Sequence, residues 1–397
     1  MIKIYDTMTR SLRDFVPLTE NVVNMYVCGP TVYNYIHIGN ARSAVAFDTI
    51  RRYFEYCGYT VNYISNFTDV DDKIIKAANE AGISTKELSD KFIAAFMEDT
   101  GQLGIKPATQ NPRVINYMDE IIAFVSTLVD KGFAYVSEGD VYFRVAKSNN
   151  YAKLANKTLE DLEIGASGRT DAETERKENP LDFALWKAAK EGEVSWDSPW
   201  GPGRPGWHIE CSVMATEILG DTIDIHGGGA DLEFPHHTNE IAQSEAKTGK
   251  TFANYWMHNG FVNVDNEKMS KSLGNFVTVH DMLQTVDGQV LRFFLATQQY
   301  RKPINFTEKA IHDAEVNLKY LKNTHSLPLT EQVNQAELQT YLDAFQEAMD
   351  DDFNTANGVT VLFDMAKWIN SGNYDQTVKD AFEKMLQVFG IVFEEEV

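Results

Sequence analysis

Two β-rich segments that flank a helical one, near the start of the chain, constrain its fold most strongly. Residues 25–29, MYVCG, have the pattern of a buried strand that ends at a glycine turn, and residues 60–65, TVNYIS, form a second β-rich run. Between them, apolar residues recur at helical spacing from Asn40 to Tyr56, until Gly58 ends the pattern. A strand, a helix and a strand in this order form the opening unit of a parallel nucleotide-binding sheet. The sequence therefore predicts an α/β fold.

Length and composition set further limits. A chain of 397 residues, 43% of them apolar, is expected to fold into about two to four domains. It contains no apolar run of the roughly 18 residues that a membrane span requires, and its first residues, MIKIYDTMTR, lack the apolar core of a signal peptide. Its three cysteines lie far apart, which argues against a disulfide framework. We therefore expect a cytoplasmic protein with no membrane partner and with thiols free for metal binding.

The charge of the chain argues against a nucleic-acid partner unless its basic residues cluster. The formal net charge is −22, whereas proteins that bind nucleic acid usually have a basic face that contacts phosphates. A local basic stripe is still compatible with this total. It would gather Arg42, Arg51, Arg52, Arg292, Arg301 and Lys302 on one side.

The rest of the chain divides into further segments. Helices are predicted at 86–100 and 113–131, followed by a β-hairpin around 138–140. The polar, irregular stretch from about 140 to 190 is typical of an inserted segment. From residue 307 onward, alanine, leucine, glutamate and lysine are abundant and glycine is scarce, which predicts a helical region.

The first candidate phosphate-binding motif is His37-Ile38-Gly39-Asn40, at the predicted junction of strand and helix. Helix amides and the helix dipole favour an anion at such a junction. Imidazole and carboxamide donors there could bind phosphate oxygens and stabilise the charge that builds on an α-phosphate during adenylation. The alternative is an ordinary helix start with Asn40 as the N-cap, and these four residues taken alone favour that alternative.

The second candidate is the pentad KMSKS at 268–272. Lys268 and Lys271, with small hydroxyl residues beside them, form a cationic loop able to bind a triphosphate. The alternative is a solvated basic loop, which is what most such lysines form. Both motifs occur in one chain, the first after the opening strand and the second about two-thirds along, and this order favours ATP binding.

Four dispersed residues have the chemistry of a zinc site, namely Cys28, Cys211, His236 and Glu240. Two thiolates, an imidazole and a carboxylate suit zinc, and the last two residues would lie four apart on one helical face. His237 is a competing ligand, although on a helix it would point about 100° away. Buried structural cysteines are the alternative. Cys57, in a Cys-Gly turn, is interpreted as structural.

These motifs, in this order, resemble those of bacterial cysteinyl-tRNA synthetases, a family of class I aminoacyl-tRNA synthetases. Similar segments run through nearly the whole chain, at 25–42, 66–75, 182–187, 198–212, 226–246, 257–276 and 291–306. The resemblance implies a Rossmann-like parallel-sheet catalytic domain at 1–117 and 191–250, interrupted by an inserted connective segment at 118–190. A stem-contact region with the KMSKS loop at 251–315 and an α-helical bundle at 316–397 would follow.

The resemblance also implies how an amino acid would be selected. Cys28, Cys211, His236 and Glu240 would bind one zinc ion, and the thiolate of a cysteine substrate would become a further ligand. Zinc favours a thiolate over the hydroxyl of serine, so such a pocket needs no separate editing site. Three further residues would line the cysteine pocket together with Cys28 and His236. They are Thr68, Trp207 as an apolar wall and Asp231 as the partner of the ammonium group.

The implied reaction is the ligation of cysteine to tRNA. His37, Asn40, Lys268 and Lys271 would bind ATP, accompanied by magnesium, and serve as the catalytic residues. The carboxylate of L-cysteine would join the α-phosphate and release pyrophosphate, and the cysteinyl group would pass to the terminal ribose of tRNA(Cys). A monomer is expected. Two alternatives stay open: a ligase that passes activated cysteine to a small amine, as mycothiol-synthesis enzymes do, and a non-catalytic zinc-bearing paralogue that senses adenylate.

The sequence departs from the family pattern at three places. Asn40 stands where a second histidine is frequent, and Thr238 stands where glutamate is common; asparagine still donates a hydrogen bond, and Glu240 is kept. Members normally continue into a small basic part that contacts the anticodon, whereas residues 316–397 contain 14 Asp and Glu against 5 Lys. From this resemblance we expect an intact adenylation site, no C-terminal anticodon-binding part and weak tRNA charging.

Overall fold

The computed structural model describes residues 1–166, 175–270 and 273–395. Lys271 and part of the predicted polar insertion lie outside these ranges. The chain opens with an antiparallel hairpin of β1 (Lys3–Asp6) and β2 (Ser11–Asp14). Then follow the elements of the predicted opening unit, β3 (Val22–Val27), α1 (Ile38–Tyr56) and β4 (Thr60–Ser65).

The predicted opening unit is confirmed. Strands β3 and β4 pair in parallel, from Val22 opposite Thr60 to Val27 opposite Ser65. Strand β3 is central and largely buried, as expected for a parallel strand covered on both faces. It begins and ends earlier than the predicted 25–29, so Cys28 and Gly29 lie just beyond its carboxyl end. This displacement places both residues at the edge of the sheet where ligands of parallel sheets bind.

Three helices lead from this unit to a second sheet. They are α2 (Asp72–Ala81), α3 (Thr85–Gln102) and α4 (Met118–Asp130), the last preceded by a 3-10 turn at Val114–Tyr117. The predicted helices at 86–100 and 113–131 correspond to α3 and to the 3-10 turn with α4. Helix α2 was not predicted, although Asp71 caps its first turn and Gly82 ends it in a left-handed conformation.

An antiparallel sheet forms the middle of the chain. Its strands, with one intervening helix, are β5 (Ala134–Ser137), β6 (Asp140–Phe143), α5 (Leu159–Ala166), β7 (Phe183–Ala188) and β8 (Gly203–Pro205). They pair in the order β5-β6-β7-β8. The predicted hairpin around 138–140 is confirmed, because β5 and β6 pair directly across it. This sheet reaches past residue 190, and the proposed division into domains stays a prediction.

The chain then returns to complete the parallel sheet. The returning elements are α6 (Trp207–Leu219), β9 (Ile223–Gly229), α7 (Thr238–Thr248) and β10 (Ala253–Asn259). The sheet has the order β10-β9-β3-β4, with every pair parallel. Because the strand order reverses between β3 and β9, the crevice beyond their carboxyl ends is the expected ligand site of such a sheet.

Short strands and helices precede a C-terminal helical region. They are β11 (Val262–Val264), β12 (Glu267–Lys268), α8 (Val279–Met282), α9 (Gly288–Ala296) and β13 (Ile304–Phe306). The helical region consists of α10 (Glu308–His325), α11 (Gln335–Asp350), α12 (Thr355–Asn370) and α13 (Gln376–Val388). The helical prediction from residue 307 is therefore confirmed. One apolar core joins α1 to this region, with Phe54 against Phe353 and Tyr53 against Phe345.

The basic stripe proposed from the sequence does not form. Arg42 and Arg292 are completely buried, and Arg51 is 8% exposed. Arg292 pairs with Asp48 at 2.7 Å, because a buried guanidinium needs a nearby acceptor to offset its lost hydration. Within the described ranges, no helix is both long and apolar enough to span a bilayer.

Candidate active site

The start of α1 is a reciprocal cap between His37 and Asn40. His37 has an extended backbone, and its Nδ1 accepts a hydrogen bond from the Asn40 amide at 3.1 Å. The Asn40 Oδ1 in turn accepts from the His37 amide at 3.3 Å. The N-cap is therefore His37 rather than Asn40, which the alternative interpretation had named. Because Nδ1 accepts, the neutral imidazole carries its proton on Nε2, as a phosphate-binding donor requires.

Backbone pairing brings the second motif to the first. The Ile38 amide donates to the Val277 carbonyl at 3.1 Å, and the Val279 amide donates to the Ile36 carbonyl at 2.9 Å. Asn275 closes the loop before this segment, since its Oδ1 accepts from the Ser270 amide at 2.8 Å. The two motifs predicted to bind ATP thus lie side by side.

Lys268 is placed at the edge of the same site. Its Nζ lies 5.6 Å from the centre of the Phe261 ring, within the range of a cation–π contact. The ammonium group is exposed and so can reorient toward a triphosphate. Lys271, the other lysine of the motif, lies outside the described residues.

The four predicted zinc ligands converge, with their donor atoms all within 4.8 Å of one another. The Cys28 Sγ lies 3.6 Å from both the Cys211 Sγ and the Glu240 Oε2, and the His236 Nε2 lies 3.1 Å from that oxygen. A tetrahedral zinc ion with bonds of about 2.0–2.3 Å holds its ligand atoms about 3.3–3.8 Å apart. The donor set fits zinc in both chemistry and size.

Burial disfavours the charged forms of three of these donors. Burial raises the pKa of Cys28 well above its usual value and raises the pKa of Glu240. Burial also lowers the pKa of His236 well below its usual value. A thiol, a carboxylic acid and a neutral imidazole are the forms that a low-dielectric site favours. A divalent cation reverses this preference for the thiol and the acid, because its ligands must be deprotonated.

Two further histidines adjoin the cluster, and a second donor set consists of Cys28, His226, His237 and Glu240. The His226 Nε2 lies 2.8 Å from the Glu240 Oε1, and the His237 Nε2 lies 3.4 Å from the Cys28 Sγ. His237 also contacts His258, with 2.8 Å between Nδ1 and Nε2. The first set contains two sulfur ligands and so suits zinc better. If zinc binds the first set, His226 contacts the ligand Glu240 and His237 contacts the ligand Cys28, so both would orient ligands without binding the metal.

The predicted pairing of His236 with Glu240, four residues apart on a helix, is present, since the His236 Nε2 lies 3.1 Å from the Glu240 Oε2. Helix α7 begins at Thr238, and residues Glu233–His237 form a wider helical turn that leads into it, with one extended residue, Phe234. This turn places both His236 and His237 against the cluster. His226 and His258 were missed because they lie on separate strands. The available signal was a histidine within a β-rich run, IDIH at 223–226 for His226 and YWMH at 255–258 for His258.

One cavity of about 670 Å³ connects the donor cluster Cys28, Cys211, His236 and Glu240, here called the metal cluster, with the two motifs predicted to bind ATP. Nine of the predicted site residues line it: Cys28, His37, Asn40, Thr68, Trp207, Cys211, Asp231, His236 and Lys268. Glu240 is fully buried beside them. Every predicted site residue within the described ranges therefore belongs to one continuous site.

The predicted cysteine pocket is built against the metal cluster. The indole of Trp207, 40% exposed, stacks on the His236 ring with 4.1 Å between centres. Asn66 links the floor of the pocket, since its Oδ1 accepts from the Gly29 amide at 2.9 Å and its Nδ2 donates to the Thr68 Oγ1 at 3.2 Å. A Cβ on Gly29 would lie 1.7 Å from the Asn66 carbonyl oxygen, so only glycine permits this approach.

Comparisons with known proteins identify the family of the chain. The family model described as tRNA synthetases class I (C) catalytic domain matches residues 14–316, and the DALR domain matches residues 344–394. A cysteine–tRNA ligase of Streptococcus thermophilus (strain CNRZ 1066) is 95% identical over 396 residues, which are 100% of this chain and 89% of the relative. A cysteine–tRNA ligase of Streptococcus pyogenes serotype M6 (strain ATCC BAA-946 / MGAS10394) is 85% identical with the same coverage of both chains.

A solved structure supports the fold. Mycobacterium tuberculosis methionyl-tRNA synthetase in complex with methionyl-adenylate has a TM-score of 0.67 and 15% identity, over 93% of this chain and 89% of that one. Both the family model and the relatives extend over most of the chain. The chain therefore belongs to the cysteinyl-tRNA synthetase family of class I tRNA synthetases.

Proposed function

We propose that this chain activates L-cysteine with ATP and transfers it to tRNA(Cys). The observation that carries the proposal is the single cavity, in which the cysteine, histidine and glutamate donors lie next to the two ATP motifs. The relatives at 85–95% identity, named cysteine–tRNA ligases, support the same function. The monomeric state and the cytoplasmic location stay predictions.

The metal donors would select the amino acid. Cys28, Cys211, His236 and Glu240 would hold zinc, which when bound supplies a soft Lewis acid for the thiolate of cysteine. Serine has a hydroxyl group in place of the thiol and would gain much less from this contact. The chain would therefore discriminate at the binding step, without a second hydrolytic site.

Other residues would orient the bound cysteine. Trp207, held by its stack on His236, offers an apolar wall at the cavity surface. Asp231 offers a carboxylate to the ammonium group, and Thr68 offers a hydroxyl near the floor. Together they would leave the carboxylate of the substrate directed toward the nucleotide, which is the arrangement that proximity catalysis requires.

The ATP motifs would stabilise the adenylation step. A carboxylate oxygen of cysteine bonds to the α-phosphorus, the bond from that phosphorus to the bridging oxygen breaks, and pyrophosphate leaves with the electron pair. The Nε2 proton of His37, the side-chain amide of Asn40 and the start of α1, which line or adjoin the cavity, would stabilise the developing charge. Lys268, with Lys271 from the same motif and magnesium on the triphosphate, would follow the charge onto pyrophosphate.

The proposal is tested in two stages with the full chain. Pyrophosphate exchange into ATP is measured with cysteine or serine, and aminoacylation is then measured with tRNA(Cys) and, separately, with a glucosamine-type amine as the acceptor. We expect exchange with cysteine only and transfer to the tRNA only. Transfer to the small amine but not to the tRNA would favour a ligase that acts on a small amine, a function that the names of the relatives do not support. Absence of exchange would favour the adenylate sensor and contradict the enzyme assignment.

A further inference from the structure

The first turns of α1 contain a fully buried cation next to the nucleotide site. Arg42 lies two residues after Asn40 and has no exposed surface. Its Nη1 donates to the carbonyl oxygens of Lys302 at 2.6 Å and Gly260 at 3.1 Å, and its Nη2 donates to that of Gln299 at 3.0 Å. The guanidinium therefore joins α1 to two other segments, the end of β10 and the turn that precedes β13.

The residues that Arg42 contacts form a wall of the active-site cavity. Gly260 and Phe261 both line that cavity, together with His37 and Asn40. The Phe261 carbonyl oxygen lies 3.4 Å from the Arg42 Nη1. The Lys268 ammonium group lies over the Phe261 ring in a cation–π contact. Arg42 thus binds the backbone carbonyl groups of this wall on the side away from the cavity. Its own side chain does not line the cavity.

The close approach of these segments depends on Gly260. Its amide donates to the Tyr300 carbonyl at 2.8 Å. A Cβ at this position would lie 2.7 Å from the Arg301 carbonyl oxygen and 2.8 Å from that of Lys302. Only glycine lets the turn come near enough for its carbonyl groups to converge on the guanidinium.

The charge of Arg42 has no anionic partner nearby. Among the described residues, no carboxylate lies within ion-pairing distance of it, and only carbonyl dipoles surround it. Arg292, equally buried, is by contrast paired with Asp48. Burial lowers the pKa of Arg42 to about 10, so the group is still charged at neutral pH. A buried charge with no counter-ion is costly, so an anion that binds nearby would offset part of that cost.

We propose that Arg42 is a positioning residue for ATP, whose triphosphate is the missing counter-ion. The inference rests on the proposed function, which places the triphosphate at the start of α1. The guanidinium adds a fixed positive charge to that of the helix start, and its bonds set the position of the Gly260–Phe261 wall.

The size of the effect follows from Coulomb's law. Two unit charges about 10 Å apart, in a medium with an effective dielectric constant of about 20, change a binding constant by about tenfold to twentyfold. Adenosine carries no phosphate and should gain nothing from the charge. ATP, ADP, AMP and adenosine should therefore depend on Arg42 in decreasing order.

The experiment measures the affinity of the four ligands, with magnesium, by calorimetry. Wild-type protein is compared with Arg42→Met, which removes the charge, and Arg42→Lys, which keeps it. We expect Arg42→Met to weaken ATP by at least about tenfold and adenosine by less than about threefold. Arg42→Lys should keep the wild-type ratio of ATP to adenosine affinity, even if both ligands bind somewhat more weakly. The melting temperature of each variant reports whether it is folded.

A matched control removes a charge from the adjoining turn. Arg301 lies between the residues that bind Arg42, is partly exposed and pairs with Asp352 at 2.6 Å. Because the Arg301 side chain is 40% exposed, solvent and salt screen its charge, and Arg301→Met should leave the ratio of ATP to adenosine affinity within about twofold of wild type.

The possible failures are distinguishable. If Arg42→Met weakens ATP and adenosine by the same factor, Arg42 only supports the fold of the wall, and the inference is overturned. If Arg42→Lys changes the ratio as strongly as Arg42→Met, the effect does not depend on charge, and the inference is again overturned. If wild-type protein binds neither ATP nor adenosine, the proposed function itself fails. If Arg42→Met does not fold, Arg42→Gln, which also removes the charge but keeps a hydrogen-bond donor for the carbonyl groups, is measured in its place and judged by the same two outcomes.

Discussion

At the scale of single residues, the metal cluster combines groups that are costly to bury alone. Cys28, Cys211 and Glu240 would carry up to three negative charges in a buried space, next to the neutral His236. Burial raises the pKa of Cys28 well above its usual value and raises the pKa of Glu240, so without a cation it favours the protonated form of each. The hydrogen bond from His226 to Glu240 fixes one carboxylate oxygen and leaves the other toward the thiols. The cluster is therefore organised for a cation before any ion binds.

Cys211→Ser should weaken metal binding and cysteine binding together. The substitution removes one of two sulfur ligands, so we expect a loss of metal affinity greater than the roughly 10- to 100-fold that follows loss of an outer partner. Cysteine should bind correspondingly more weakly. Elemental analysis and calorimetry measure the two effects. Cys57→Ser is the control, because Cys57 is exposed at the end of α1 and far from the cluster in sequence and contacts. Metal loss without weaker cysteine binding would contradict the coupling.

Residue chemistry suggested the first donor set, but it left buried structural cysteines as the alternative, and only the resemblance to the family favoured a zinc site. Neither predicted His226 or His258, because those contacts depend on which strands become neighbours. The same limit applies to Arg42, which the sequence suggested as a surface residue and which is buried. A guanidinium that is satisfied by distant carbonyl groups leaves no local pattern in the sequence.

At the scale of elements, the site depends on loops that follow parallel strands. The loop after β3 contains Cys28 and His37, and the loop after β9 contains Asp231 and His236. Because all four strands are parallel, these loops open on the same edge of the sheet. The order of strand, helix and strand predicted this edge. It did not predict the wide turn at Glu233–His237, whose conformation depends on packing against the cluster.

The KMSKS motif and the cysteine pocket should affect different kinetic constants. Lys271→Ala, chosen from the motif, should lower the rate of adenylation by about a hundredfold or more with little effect on the KM for cysteine, because the charge acts as the phosphates separate. Trp207→Ala should chiefly raise the KM for cysteine, because the indole forms the pocket wall. Steady-state pyrophosphate exchange measures both constants. A raised KM for cysteine in Lys271→Ala, with the rate unchanged, would contradict the assignment.

Asp352 lies where the N-terminal hairpin and the segment before β13 meet the helical region. Its carboxylate accepts from the Tyr5 amide at 2.9 Å, the Tyr300 hydroxyl at 2.7 Å and the Arg301 Nε at 2.6 Å. Asp352→Ala should lower the free energy of unfolding by about 2–3 kcal/mol, since it leaves buried donors without an acceptor. Chemical denaturation measures this change. Asp352 also has a positive φ of 52°, which asparagine tolerates, so Asp352→Asn should lose less. Equal losses for both variants would show that the hydrogen bonds contribute little.

At the scale of the whole molecule, an acidic protein is proposed to bind a polyanion. The net charge is −22, and several arginines that might have formed a basic surface are buried or paired. Productive tRNA binding must therefore depend on a limited number of local phosphate contacts. Such contacts weaken steeply as salt is added, because the release of counter-ions no longer favours binding.

Salt should therefore separate the two steps of the reaction. Raising the salt from about 50 to 200 mM should increase the KM for tRNA by at least about tenfold while cysteine-dependent exchange changes by less than about twofold. Initial rates of aminoacylation and of exchange, measured on the same preparation, provide the comparison. Equal sensitivity of the two reactions would indicate that salt acts on the catalytic site rather than on the tRNA contacts.

The most direct test of the account measures cysteine-dependent pyrophosphate exchange against metal content in one preparation. Protein purified without chelator is analysed for zinc, partly depleted with a chelator and restored with zinc chloride. We predict about one zinc per chain. Exchange with cysteine should fall in proportion to the zinc removed and return on restoration, and exchange with serine should stay far lower throughout. Full exchange activity in zinc-free protein, or equal activity with serine, would contradict the claim that this chain selects cysteine through a metal–thiolate bond.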